Sequence, residues 1–241
     1  MDYISERERK IREKGAYFAE FFGSFFINFA LHSLDRIKDA AYIPYVIGTT
    51  FCLAVFASHK LSGAHLNAAV TLAHWLKNRD QEYKRYIYYV VAQVLGGLFA
   101  GFMMPFLKFD LILPDHTHDA TASEALSTQI FFTFFLCLVH LYINDPFQPR
   151  FDPVMISMVI GAVYLLISMT LGPATGGIVN PSIGLSIGLS RMIFTDESSK
   201  LLPLWIIAPF VGALGSGWFY GKFLQREDSK KFKWLRSPEC N

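Results

Sequence analysis

Charge is scarce in this chain: 17% of its 241 residues are Asp, Glu, Lys or Arg, against roughly 25% in soluble domains. The 22 basic and 20 acidic side chains nearly cancel, for a net charge of +2. That leaves no basic excess for nucleic acid and no acidic tail. Cysteine is scarce too. Cys52, Cys137 and Cys240 stand far apart, with no CxxC pair, no zinc spacing and no disulfide framework. No Gly-rich phosphate loop and no nucleophile triad occurs, so no enzyme chemistry, cofactor or resident metal is expected. What fills the space is apolar: 52% of residues, with 23 Phe, which excludes a disordered chain.

The missing charges fall in blocks. Ala41–His59 is uncharged over 19 residues, Tyr86–Leu107 over 22, Ala125–Asn144 over 20 and Leu201–Gly221 over 21, while Gly15–Leu34 carries only Glu20. About 20 helical residues cross a hydrocarbon core of about 30 Å. Gly15–Leu34 is too long an apolar stretch, with no small-residue cleavage site after it, to read as a cleavable signal peptide. Two runs do not fit. Leu61–Leu76 is short at 16 residues, and Pro153–Ser190 is too long at 38. The long one splits at Gly172-Pro173 and Gly176-Gly177 into a span, Val154–Leu171, and a second short piece. The expected architecture is an all-α membrane protein of six transmembrane helices plus two re-entrant half-helices. Backbone that breaks its helix at membrane depth survives only when buried in protein or lining a water-filled cavity, which suggests a pore.

Lys and Arg set the orientation. With the N-terminus in the cytoplasm, 17 of the 22 lie inside and five outside (Arg36, Lys38, Lys108, Arg191 and Lys200). Both termini are therefore expected to be cytoplasmic.

The two short pieces resemble each other. Ser62-Gly63 precedes Asn67 as Thr175-Gly176 precedes Asn180, five and four places before. Each Asn opens a helix-compatible run, Ala68–Leu76 and Pro181–Ser190. Asn is a favoured N-cap and Pro181 suits the first helical position. The two Asn are 113 residues apart. Each half holds three spans, an odd number, so the halves insert with opposite polarity. That is an inverted repeat whose half-helices meet near the midplane.

On these residues the chain resembles the major intrinsic proteins, the aquaporins and aquaglyceroporins. SGAHLNAAVTL (Ser62–Leu72) is similar to their first motif, with Ala68-Ala69 after the Asn in place of Pro-Ala. TGGIVNPS (Thr175–Ser182) is similar to the second, with Ser182 in place of Ala. Further matches are Ala19–Gly23, Ala92-Gln93 with Gly96-Gly97, and Trp205 through Ala208-Pro209 to Gly212. The resemblance covers roughly Gly15 to Phe223. It implies an hourglass pore in each subunit, a homotetramer in the lipid bilayer, and water and small neutral solutes as the passengers. On that reading, 1–14 is a cytoplasmic segment, 15–223 the channel domain (repeats at about 15–107 and 125–223), and 224–241 a cytoplasmic tail.

The resemblance also assigns roles. Asn67, Ala68, Ala69, Asn180, Pro181 and Ser182 would form the central constriction. The two Asn, at the positive ends of two helix dipoles, would offer side-chain NH2 groups to a passing oxygen. Water held by two donors cannot also accept a relayed proton. The hydroxyl of Ser182 has two options, the pore or a local carbonyl. The outer selectivity filter would fall on Ile47, Ser168, Gly177 and Ile183. The family's filter Arg is absent, because Ile183 stands in its place, and this predicts a wider, less polar ring. Glu20 and Gln129 would brace the re-entrant loops, and His65 would belong to the loop scaffold. A carboxylate within a span is a functional-site hypothesis by default, so a proton relay is the other role open to Glu20. His32 and His140 are expected in packing. Phe18, Phe22, Phe25 and Phe29 would line lipid or the bundle surface. Asp115–Asp119, with His116 and His118, has a metal-like pattern, and Lys230, Lys231, Lys233, Trp234 and Arg236 form a basic tail.

The expected function is a passive channel. The alternative is a membrane structural or adhesion protein of the same fold with a closed or poorly conducting pore. An ion-coupled transporter also uses inverted repeats, but it would want midplane acids, and the spans hold only Glu20.

Overall fold

The computed structural model describes residues 6–78, 83–107, 121–146, 148, 151–195 and 201–225. Asp115–Asp119, Cys240 and the basic tail lie outside them. The described residues form eight α-helices and no strand: α1 Glu6–His32, α2 Ile43–Ser62, α3 Ala68–Asn78, α4 Tyr83–Leu107, α5 Ala122–Ile143, α6 Pro153–Thr175, α7 Pro181–Thr195 and α8 Leu202–Phe219, the last continued by a π-turn at Tyr220–Leu224. Five of the helices, α2, α4, α5, α6 and α8, are long and apolar enough to cross a membrane. The sixth span of the sequence reading is α1. At 27 residues it is long enough, but it spends Glu20, Asn28 and His32 on its buried face, which lowers its mean hydropathy. It also begins nine residues before Gly15, so Glu6–Lys14 continues the first helix rather than standing apart from it.

α3 and α7, of 11 and 15 residues, are the half-length helices. The break before α7 differs from one of its two expected places. α6 runs through Gly172-Pro173 and ends at Gly176, whose left-handed backbone (φ 73°) lets its N–H return to the carbonyl of Gly172. A proline in the last turn removes a single helical N–H, which the helix survives.

Exchanging the halves maps the packing onto itself. α1 packs on α4 as α5 packs on α8. α3 packs on α8, α7 packs on α4, and α2 packs against α6 between them. Each half-helix thus rests on the other half's last span. Glycine permits the closest approaches. A methyl group on Gly96 would strike the carbonyl oxygen of Phe21, and one on Gly212 would lie 2.6 Å from that of Ile130. The residue distribution inverts that of a soluble protein. Phe18, Phe22, Leu53, Phe56, Leu95, Phe99, Phe131 and Ile207 are exposed, whereas Glu20, Asn67, Gln93, Gln129 and Asn180 are buried. Phe25 and Phe29 are half-buried. Such a surface suits lipid rather than water.

Candidate functional site

Asn67 and Asn180 are the caps of α3 and α7. The side-chain oxygen of Asn67 accepts from the backbone N–H of Ala69 at 2.8 Å. That of Asn180 accepts from Ser182 at 3.0 Å. This is ordinary N-capping, which satisfies amides that a helix start leaves orphaned. The side-chain nitrogens then cross between the halves. Asn180 donates to the carbonyl of Leu66 at 2.7 Å, and Asn67 to that of Val179 at 3.2 Å. Each Asn therefore ties its own half-helix to the opposite loop. Two helix N-termini converge there, each carrying a partial positive charge.

The sequence left both NH2 groups open to a passing oxygen. Instead, Asn67 uses its second N–H on the hydroxyl of Tyr164 at 2.9 Å. Asn67 is 0% exposed and Asn180 1%. The reason is local. Tyr164 stands on α6 one turn before Ser168, which puts its hydroxyl within hydrogen-bond distance of the amide.

The first loop hangs on Glu20. One carboxylate oxygen accepts from the N–H of His65 at 2.9 Å. The other accepts from Leu66 at 2.7 Å and from the Gln93 amide at 2.8 Å. Gln93 also donates to Thr71 and accepts from the Ser182 hydroxyl at 3.1 Å. The Ser182 hydroxyl thus turns to a side-chain carbonyl of α4, and it links the second half-helix to the brace of the first loop. In the second loop Gln129 donates to the carbonyl of Ile178 at 3.0 Å. Two aromatic donors complete the frame: Tyr89 on α4 bonds the carbonyl of Ser62 at 2.9 Å, and the Trp205 indole on α8 bonds that of Thr175 at 2.8 Å.

The loops differ in backbone. Ala64 (φ 50°) and Leu66 (φ 47°) occupy the left-handed region without being glycine. In the second loop that region is taken by Gly176 and Gly177. A Cβ on Gly177 would come within 3.3 Å of the Cα of Ser168. Gly177 and Ser168 are thereby brought together. Ile183, in the first turn of α7, is buried in the central apolar cluster, and Ile47 packs against it half-buried. Ala68 and Ala69 are buried in the first turn of α3, as Pro181 is in that of α7. Arg191 lies near the far end of α7, two turns and more beyond Ile183.

Below the first loop lies a polar cluster that the sequence did not reveal. His74 and His140 share a hydrogen bond of 2.9 Å, and His140 also reaches the carbonyl of Ala64 at 3.2 Å. His65 stacks on His74 with ring centres 4.3 Å apart. His59 bonds Asn144 at 2.9 Å, and the Asn144 amide lies 3.2 Å from His140. Beside them Lys77 pairs with Asp145 at 3.0 Å, and Asp145 accepts from Tyr220 at 2.7 Å. Among the described residues, no group of three or more His, Cys, Asp or Glu is arranged to hold a metal ion. No helical spacing in the sequence links these histidines: His65 stands in the loop and His74, nine residues on, in α3. Their partners come from α2 and α5.

Two re-entrant half-helices capped by Asn, inverted within a bundle of apolar spans, define a class of integral multi-pass membrane proteins. Residues 7–220 match the family model described as major intrinsic protein, so the chain belongs to that family. It is similar to aquaporin NIP3-1 of Oryza sativa subsp. japonica, at 27% identity over 88% of this chain and 68% of the relative. It is also similar to the probable aquaporin AqpM of Archaeoglobus fulgidus, at 26% identity over 76% and 77%. In fold it matches the X-ray structure of the aquaglyceroporin from Plasmodium falciparum, with a TM-score of 0.73 and 25% identity over 89% of this chain and 96% of that one.

Proposed function

We propose that the chain is a passive transmembrane channel for water and uncharged solutes of glycerol size or smaller. The observation that carries the reading is the reciprocal pairing of the two caps, Asn180 to the carbonyl of Leu66 and Asn67 to that of Val179. It sets two positive helix ends against one path, which repels cations and orients a single file of water. Relatives named as aquaporins and a structural neighbour named as an aquaglyceroporin support the solute class. The outer ring of Ile47, Ser168, Gly177 and Ile183 offers one hydroxyl and no charge, so it favours passengers less polar than a water-specific ring would accept. Both termini face the cytoplasm and the working unit is a homotetramer. No substrate turnover and no energy source are involved.

The test is a permeability panel of water, glycerol, urea, ammonia and peroxide on purified protein in proteoliposomes. Solute flux above that of empty vesicles is expected, with protons largely excluded under a pH gradient. Rapid proton flux would refute the dipole argument. A second reading, the same fold with a poorly conducting pore, is favoured by one observation: Asn67 is 0% exposed.

A further inference from the structure

The outer ring and the Asn pair are separated by one turn of α2 and one turn of α6. On α2 the step inward from Ile47 reaches Phe51. On α6 the step inward from Ser168 reaches Tyr164. These two rings meet face to face, with centres 3.3 Å apart and planes 9° from parallel. Phe51 is 3% exposed and Tyr164 5%. The helices can bring them together because glycine faces glycine nearby: a Cβ on Gly48 would lie 2.9 Å from the carbonyl oxygen of Gly161. The stack is fixed on its polar side as well, since the Tyr164 hydroxyl accepts from Asn67 at 2.9 Å.

Resting on the channel reading above, we infer that the Phe51–Tyr164 stack, and not the outer ring, is the narrowest point of the path and sets how fast the solutes admitted by the ring cross. Two consequences follow from the geometry. The rings occupy the volume a file of water would need between the ring of Ile47 and Ser168 and the Asn pair. The Tyr164 hydroxyl also competes with every passenger for the Asn67 amide. A solute that passes must displace the stack and break that hydrogen bond, so small solutes carrying an acceptor oxygen are favoured over those without one.

The experiment measures water and glycerol flux by stopped flow, using the full chain in proteoliposomes at equal protein content. Wild-type flux is expected to be low. Phe51→Ala removes one face of the stack and should raise water flux about ten-fold or more, with glycerol rising too. Tyr164→Phe keeps the ring and frees one N–H of Asn67, so a rise of about five-fold is expected, the size of one net hydrogen bond. Phe99→Ala, on the exposed face of α4, should leave flux unchanged. If Phe51→Ala does not fold, Phe51→Leu and Tyr164→Leu decide the matter, since they keep apolar volume but cannot stack. Wild-type flux above empty vesicles, unchanged by any folded stack variant, overturns the constriction and leaves the channel reading intact. No flux from the wild type or from any folded variant overturns both.

Discussion

In the first loop a buried carboxylate accepts from two backbone N–H groups, whereas in the second a neutral amide donates to a backbone carbonyl. The backbones differ in the same sense. Both loops open on a left-handed glycine, Gly63 and Gly176, but the next residue is Ala64 in the first and Gly177 in the second, and the first adds Leu66, also left-handed. A side chain in that region is strained by roughly 1–2 kcal/mol, and charge-assisted hydrogen bonds offset strain better than neutral ones. Ala68 and Pro181 show the same contrast. Proline fixes the backbone of its helix start in advance, whereas the start at Ala68 has only the Asn67 cap, whose oxygen accepts from Ala69. The first loop is held in place from without by Glu20, Gln93 and Tyr89. The second is shaped mainly from within, with Gln129 and Trp205 as lighter supports.

That contrast can be broken most forcefully at Glu20. Glu20→Ala strands the N–H groups of His65 and Leu66 and takes from the Gln93 amide one of its two acceptors. Each unsatisfied buried group costs about 1–3 kcal/mol, so a loss of about 3 kcal/mol or more is expected. Thermal unfolding of the detergent-solubilised protein checks it. Gln129→Ala strands the Ile178 carbonyl and should lose less, about 1–3 kcal/mol. Equal losses in the two variants would erase the distinction between the loops.

Asn180→Asp attacks the junction the loops share. The Ser182 cap survives, but a carboxylate oxygen replaces the donor that sits 2.7 Å from the Leu66 carbonyl. Acceptor then faces acceptor, and a charge near the midplane costs about 2.5–3.5 kcal/mol. Water flux should fall sharply in protein that still reaches the membrane.

Ile183→Arg probes the second loop from its other side. The nearest acceptors for its donors are the loop carbonyls around Gly176–Val179. If the ring is as assigned, glycerol flux falls more than water flux. A folded variant with every permeability unchanged would defeat that assignment. Should the side chain instead be buried without partners, the protein would express poorly. The smallest effect is expected at Ala64→Gly, where relief of backbone strain opposes added freedom in the unfolded chain. Stability should move by less than about 1 kcal/mol.

Much of this was legible in the sequence, for definite reasons. The two Asn sit in matching contexts 113 residues apart, and length alone separated half-helices from spans. Charge-free runs located the helices because lipid tolerates little else. Glu20 stood out as a lone carboxylate within a span. What stayed hidden was side-chain pairing between distant helices. Lys77 with Asp145, His74 with His140, and Phe51 with Tyr164 come from runs that share no local pattern. Phe51 and Tyr164 did carry a signal, since each lies one helical turn inward from an assigned ring position. The opposite hydrogen-bond roles of Glu20 and Gln129 were also out of reach. A carboxylate must accept, but an amide can do either, and only the placement of Ile178 decides which.

The central claim is that one path runs past the aromatic stack and then between the two Asn caps. Stopped-flow water permeability of Phe51→Ala, with and without Asn180→Asp, tests it most directly. The account predicts fast flux in the single variant and loss of most of it in the folded double variant. Equal flux in the two would mean that water crosses without meeting Asn180, and would contradict the account.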